Sequence, residues 1–231
     1  MTTVVPAVLA MEVSQRHGGI ALRCPDGTVV VNRLTSTTRR GDALMPAIES
    51  LLKEAQVEPG NLSGIGVSIG PGGFTGLRIG LAAAKMLGWA LDIPIAAVPT
   101  ALVAAESDSQ SVSRMAVALA SKDDTCWLSL VEGARGSRAL LDGPKGGQLV
   151  DPANFKAEVD GSNCLLADDH LPASMSDHGL PCHEPDFDPV ILLEITERFL
   201  AEGRITDPLD LLPIYPRDPE AVRLWDARKG S

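Results

Sequence analysis

Near the start of the chain, apolar residues form three short runs. AVLAMEV (7–13) precedes the polar break SQRHG, and GIALRC (19–24) and TVVVNRL (28–34) flank Pro25-Asp26-Gly27. A Pro-Asp-Gly break between two such runs predicts a tight turn, so the second and third strands form a hairpin. From Asp42 to Gln56 the period changes. Leu44, Met45, Ile48, Leu51, Leu52 and Ala55 recur at helical spacing, with Glu49, Lys53 and Glu54 opposite. Pro59-Gly60 ends that helix. GIGVSIG (64–70) reads as a buried strand, a glycine-rich loop follows, and Leu77–Leu91 reads as a second helix before a strand at 93–98. The order β-β-β-α-β-α-β describes helices packed against a mixed sheet.

Beyond Thr100 the pattern weakens. A short helix over 101–106 meets the polar run SDSQSVS, which marks a boundary between an N-terminal lobe (1–105) and a C-terminal lobe (106–231). MAVALA (115–120) and CWLSLVEG (126–133) read as strands and 189–202 as an amphipathic helix. Residues 168–188 show no periodicity and read as a loop. Prolines in the tail exclude a regular helix before Glu220, and the tail is expected to pack back on the first lobe.

Composition narrows the class. At 231 residues, 45% hydrophobic and 22% charged, the chain has an ordinary globular balance. Aromatics are only 3%, so the core relies on Leu, Val, Ile and Ala. A net charge of −10 argues against gripping a phosphate backbone unaided, because nucleic-acid affinity comes largely from Lys and Arg. Cys24, Cys126, Cys164 and Cys182 show no CxxC spacing, as in a reducing compartment. The N-terminus lacks a basic n-region, and no run reaches the roughly eighteen apolar residues of a membrane span. The expectation is a cytoplasmic protein that makes no membrane contact.

Residues 70–80, GPGGFTGLRIG, join a strand to a helix. Glycines there permit positive φ or close backbone approach, and free N–H groups at a helix start can hold an anion. No Gly-Lys-Ser/Thr follows, so this is not a Walker A loop, nor is it GxGxxG with a downstream acid. From the residues alone, a structural turn and a phosphate or nucleotide site both remain open. Gly76 is expected to be needed for backbone freedom, through positive φ.

The full string GPGGFTGLRIGLAAAKMLGWALDIPIAAVPT is more specific than its glycine count, and it resembles the signature of the TsaB (YeaZ) family within the TsaD, glycoprotease-like group. Leu44, Met45, Pro46, Ile48, Leu51 and Leu52 match the family's first helix, and Pro213, Tyr215 and Arg217 match its C-terminal Pro-x-Tyr-x-Arg element. The resemblance is strong over 40–105, fair over 7–34 and faint over 120–205. It implies a two-lobed, actin-like (ASKHA, RNase H-like) α/β ATPase fold in degenerate form. It also implies a role in forming threonylcarbamoyladenosine at position 37 of ANN-reading tRNAs. In that family the chain is a non-catalytic paralogue that pairs with the catalytic TsaD. The ATPase TsaE joins the pair, tRNA is met only through the complex, and a homodimer forms in isolation.

Three departures from the family pattern remove groups suited to phosphate or magnesium. Glu12-Val13 stands for Asp-Thr at the end of the first strand, Arg40-Gly41-Asp42 for a His-Ser/Thr element, and Ala120-Ser121-Lys122 for Asp-Ala-Arg. What remains of a nucleotide site is Glu12, Gly72, Gly73 and Thr75. No histidine lies between His17 and His170, whereas the catalytic paralogue carries a His-x-x-x-His pair on its first helix. That absence argues against catalysis and against a peptidase metal site, and no metal or cofactor is expected. Asp168, Asp169, His170, His178, Cys182 and His183 fit no standard zinc spacing and read as a solvated loop. Cys126 reads as a buried thiol, and Ser68 and Thr75 as turn hydroxyls. The second helix is apolar or small nearly all round and must be covered on more than one side. The expected partner face comprises Leu44, Ile48, Gly80, Ala83, Ala84 and Leu87, with the neighbouring first helix as the intramolecular alternative. Rival functions are an ATPase or sugar-kinase-like enzyme of the same fold and a metal-dependent peptidase.

Overall fold

A computed structural model describes residues 5–34, 43–141 and 146–217. Strands β1 (Ala7–Glu12), β2 (Gly18–Arg23) and β3 (Val29–Leu34) form an antiparallel meander. Its hairpin turn closes as expected, with the Gly27 N–H donating to Cys24 carbonyl at 2.9 Å and the Asp26 carboxylate accepting from Thr28 N–H at 2.9 Å. After helix α1 (Leu44–Glu54), strand β4 (Leu62–Ser68) adds parallel to β1. Helix α2 (Phe74–Leu91) then leads to β5 (Ile95–Val98), parallel to β4. The first sheet has the order β3-β2-β1-β4-β5.

Helix α3 (Thr100–Ser107) leads into a second sheet. It is built on the antiparallel pair β6 (Arg114–Ala120) and β7 (Cys126–Glu132), with the short strands β8 (Ala139–Leu140) and β9 (Gln148–Val150) on β7. Helix α4 (Pro152–Glu158) follows, then β10 (Cys164–Ala167) and β11 (Cys182–His183) on the other side of β6. The sequence pattern missed α4, although Asp151-Pro152 starts it plainly: the Asp151 carboxylate accepts from Asn154 N–H at 3.0 Å and proline occupies the first turn. Helix α5 (Pro189–Ala201) begins the same way, with Asp188 accepting from Val190 N–H at 2.8 Å.

Three apolar layers organise these elements. Helices α1 and α2 cover the outer face of the first sheet, and Leu211 and Ile214 of the tail join that core. Helix α5 lies across β1, β2, β4 and β5 on the inner face, and α3 packs between α5 and the second sheet. Helix α4 closes the far side of the second sheet around Phe155. Ionic contacts pin the middle layer. The Arg23 guanidinium meets the Glu197 carboxylate twice, at 2.7 and 3.0 Å, joining β2 to α5. Arg138 is buried and donates to the carbonyls of Ala105, Asp108 and Gln110, serving the C-terminal end of α3, where cations are favoured. Among the described residues, no helix is long and apolar enough to cross a membrane.

Candidate functional site

The glycine-rich loop is held from two directions. The Gly70 N–H donates to Thr100 Oγ1 at 3.1 Å, and Gly70, at φ 103°, accepts from Thr100 N–H at 2.9 Å. The Gly73 N–H donates to the Ser14 carbonyl at 2.7 Å, so the start of α2 docks onto the loop between β1 and β2. A Cβ at Gly72 would collide with the Ser14 carbonyl, and one at Gly76 with the Val13 carbonyl. Gly76 lies inside α2 and has no positive φ, which corrects the expectation from sequence. It is needed because another backbone passes where a side chain would stand. The same docking starts α2 at Phe74, three residues before the expected Leu77.

Glu12 lies beneath this loop, fully buried at the end of β1. Its Oε1 accepts from Ser14 N–H at 2.9 Å, Ser14 Oγ at 2.5 Å and Ser68 Oγ at 3.0 Å. The carboxylate therefore fastens the β1–β2 loop to the end of β4. Gly73 and Thr75 line a shallow depression of about 370 Å³ with Val13, Ser14, Gln15 and Arg16, and exposed Gly72 adjoins it. Glu12 is not among its lining residues. The four residues named from sequence for a nucleotide are thus neighbours, but their one carboxylate is turned into the protein.

In a second pocket, lined also by Gln15, Arg16 and His17 of the β1–β2 loop, Asp168, Asp169 and His170 bring one ligand atom each within 4.8 Å of one another. His178, Cys182 and His183 stand outside that group. Asp169 and His170 pair at 2.5 Å with both side chains solvated, and Asp168 accepts the His170 N–H at 3.0 Å. Cys126 is buried, and desolvation, with a smaller contribution from the Asp168 charge, pushes its thiol up to about 12. A thiol held protonated is a poor nucleophile.

Helices α1 and α2 present a different surface from the one read in the sequence. Leu44, Ile48, Gly80, Ala83 and Ala84 are buried within this chain, against its own core. Leu87 is half-buried and lines an open groove of about 760 Å³ with Met45, Ile48, Leu52, Val57 and Leu62. The outward stripe of α2 is Phe74, Arg78, Ala82, Met86 and Trp89, at steps of four, four, four and three residues. Met86 is 68% exposed and Trp89 84%, with Met45 of α1 at 47% and Phe74 at 50%. The signal for this phase was present: Leu77, Leu81, Ala84 and Gly88 form the inward stripe, leaving 78, 82, 86 and 89 outside.

The tail completes this end of the molecule. The Arg78 guanidinium lies 3.6 Å over the Phe74 ring, and its Nε donates to the Tyr215 hydroxyl at 3.1 Å. The Phe74 and Tyr215 rings are 5.4 Å apart. Arg217 donates to Asp123, to the Lys122 carbonyl at 2.9 Å and to Thr125 Oγ1 at 3.0 Å. Arg40-Gly41-Asp42 lies outside the described residues, as does the tail beyond Arg217.

Comparison with known proteins places this arrangement. The family model described as "TsaD: tRNA N6-adenosine threonylcarbamoyltransferase" matches residues 37–121. The "tRNA threonylcarbamoyladenosine biosynthesis protein TsaB" of Bacillus subtilis is 45% identical over 92 residues, 39% of this chain and 40% of that protein. The matched part is therefore less than half of that relative. An uncharacterized protein of Mycobacterium tuberculosis is 30% identical over 225 residues, covering 96% of this chain and 92% of the relative. The solved structure of YeaZ from Pseudomonas aeruginosa superposes with a TM-score of 0.78 at 21% identity, over 91% of this chain and all of that one. The shared fold is a mixed α/β arrangement with two sheets. With the glycine-rich string docked on the β1–β2 loop, the chain is similar to the TsaB tRNA threonylcarbamoyladenosine biosynthesis protein and to the TsaD family model over the matched residues, to the mycobacterial protein over nearly its whole length, and to YeaZ in fold.

Proposed function

We propose that this chain is a non-catalytic subunit in the formation of threonylcarbamoyladenosine on tRNA, acting by pairing with the threonylcarbamoyltransferase TsaD. The observation that carries the reading is the outward face of α2, where Met86 and Trp89 stand in solvent, on a helix packed against α1 with its exposed Met45. Large apolar side chains grouped on one surface mark interaction sites, and tryptophan is enriched among residues that dominate binding. The groove between α1, the 56–59 turn and Leu87 suits an apolar side chain of a partner helix. In isolation the same face supports pairing with a second copy. TsaE joins the assembled pair, and TsaD supplies most of the tRNA contact, in keeping with the net charge of −10 on this chain.

An absence of catalysis in this chain is supported by the chemistry of its candidate groups. Glu12 is engaged by Ser14 and Ser68, and Cys126 is held as a thiol. Co-expression with the same organism's TsaD is expected to yield a co-purifying pair. That pair, given threonylcarbamoyl adenylate, unmodified tRNA and TsaE with ATP, is expected to make the modified nucleoside, and this chain alone is not. Failure to co-purify, or product made by this chain alone, overturns the proposal.

A further inference from the structure

The tail segment from Thr206 to Arg217 runs along the first lobe and ends on the second. Its Thr206 N–H donates to the Ile95 carbonyl at 2.8 Å, and its Ile214 N–H to the Ile69 carbonyl at 2.7 Å, so its backbone passes from the edge strand β5 to the residue just beyond β4. Leu211 and Ile214 are buried in the first lobe's core. Tyr215 then reaches the first turn of α2 through Arg78 and Phe74. Two residues later, Arg217 crosses to the turn between β6 and β7. Asp123 and Asp124 both adopt left-handed conformations there, at φ 58° and 50°. That is the backbone of a tight hairpin turn. It directs the Lys122 carbonyl, the Asp123 carboxylate and the Thr125 hydroxyl at one guanidinium.

We infer that this segment is a strap that fixes the relative position of the two lobes and ties it to the partner-facing helix α2. Among the described residues, Arg217 carries the strap's hydrogen bonds to the second lobe, beside the apolar contact that Trp127 of β7 makes with the cluster of Leu211 and Ile214. A planar guanidinium with several donors in fixed directions can engage three acceptors, which a lysine ammonium on a flexible stem does poorly. Since Tyr215 lies two residues away and holds the first turn of α2, a change in the Arg217 contact is passed to the start of that helix. The link to a partner rests on the proposed pairing with TsaD through α1 and α2; the lobe-fixing role does not.

The test measures the two roles separately. Ser50 of α1 and Ala153 of α4 are exposed positions on opposite lobes. Nitroxide labels on cysteines placed there, in a Cys182→Ser background that removes the exposed thiol, report the lobe separation by pulsed electron resonance. A single narrow distance distribution is expected with Arg217 present, and a broadened, shifted one for Arg217→Ala, with Arg217→Lys in between. Asp123→Asn removes charge from the other side of the contact while keeping a residue that tolerates left-handed backbone. It covers the case in which Arg217→Ala does not fold. Unchanged distributions in the folded variants overturn the strap. In a TsaD pull-down, Arg217→Ala is expected to weaken binding at least about fivefold, although α1 and α2 keep every outward residue. A shifted distance with undiminished binding overturns the coupling to α2. Failure of the unsubstituted chain to bind TsaD refutes the pairing and leaves the lobe-fixing result standing.

Discussion

The Ser68 hydroxyl donates to the Glu12 carboxylate at 3.0 Å, joining the ends of two parallel strands that are 56 residues apart in sequence. Both residues are fully buried. The bond anchors the loop that supports the glycine-rich turn, because the same Glu12 oxygen also accepts from both the backbone and the hydroxyl of Ser14.

Ser68→Ala removes one of these donors from a buried carboxylate. Removing one partner of a buried hydrogen bond costs about 1–3 kcal/mol, and the two Ser14 donors remain. The expected loss is about 1–2 kcal/mol, measured by urea unfolding with an unchanged m-value. Undiminished stability would show that the Ser14 donors suffice.

Gly76→Ala is expected to cost about 1–3 kcal/mol, since the added methyl meets the Val13 carbonyl and the backbone must shift. Gly60 is the control. A Cβ there meets nothing within 4 Å, so Gly60→Ala should stay within about 0.5 kcal/mol of the parent. Equal melting temperatures for the two variants would remove close approach as the reason for Gly76.

Glutamate substitutions at Ala82 and Ala84 separate the two sides of α2. Ala84 is fully buried and Ala82 is exposed. Ala84→Glu buries an unpaired carboxylate at a cost of several kcal/mol and is expected not to fold. Ala82→Glu should fold, by circular dichroism, and lose TsaD in a pull-down. Trp89→Ala should also fold and bind roughly thirtyfold more weakly, the loss of about 2 kcal/mol typical of a dominant interface residue. Normal TsaD binding by both folded variants would rule out this face.

The Cys126 thiol supplies a pH signature. In the unfolded chain it ionises near 9.0, and in the folded protein burial holds it protonated to about 12. A folded-state value above the unfolded one contributes stability in full below pH 9, and that contribution is lost as the pH rises towards 12. Unfolding free energy is therefore expected to fall over this window, and less steeply in Cys126→Ala. Identical slopes for the two proteins would exclude Cys126 as the source. Iodoacetamide at pH 8 should leave Cys126 unmodified in the native state.

Local pattern determined a large share of this protein. The order β-β-β-α-β-α-β follows from runs and periods at residues 7–98. The hairpin turn follows from Pro25-Asp26-Gly27, and α5 from its amphipathic spacing. Each of these depends on residues close in sequence, and the family resemblance rests chiefly on one continuous string. Only the tertiary structure decided what depends on distant partners. Periodicity shows that a helix has faces, but α2 is apolar or small on nearly all of them. The choice of Ala84 inside and Met86 and Trp89 outside was made by the sheet and α1. The need for glycine at 76 comes from a carbonyl 63 residues earlier in the chain. The position of Arg217 follows from a turn 92–95 residues away. Contacts of that separation leave no local period, because the residues that meet are neighbours only after the chain has folded.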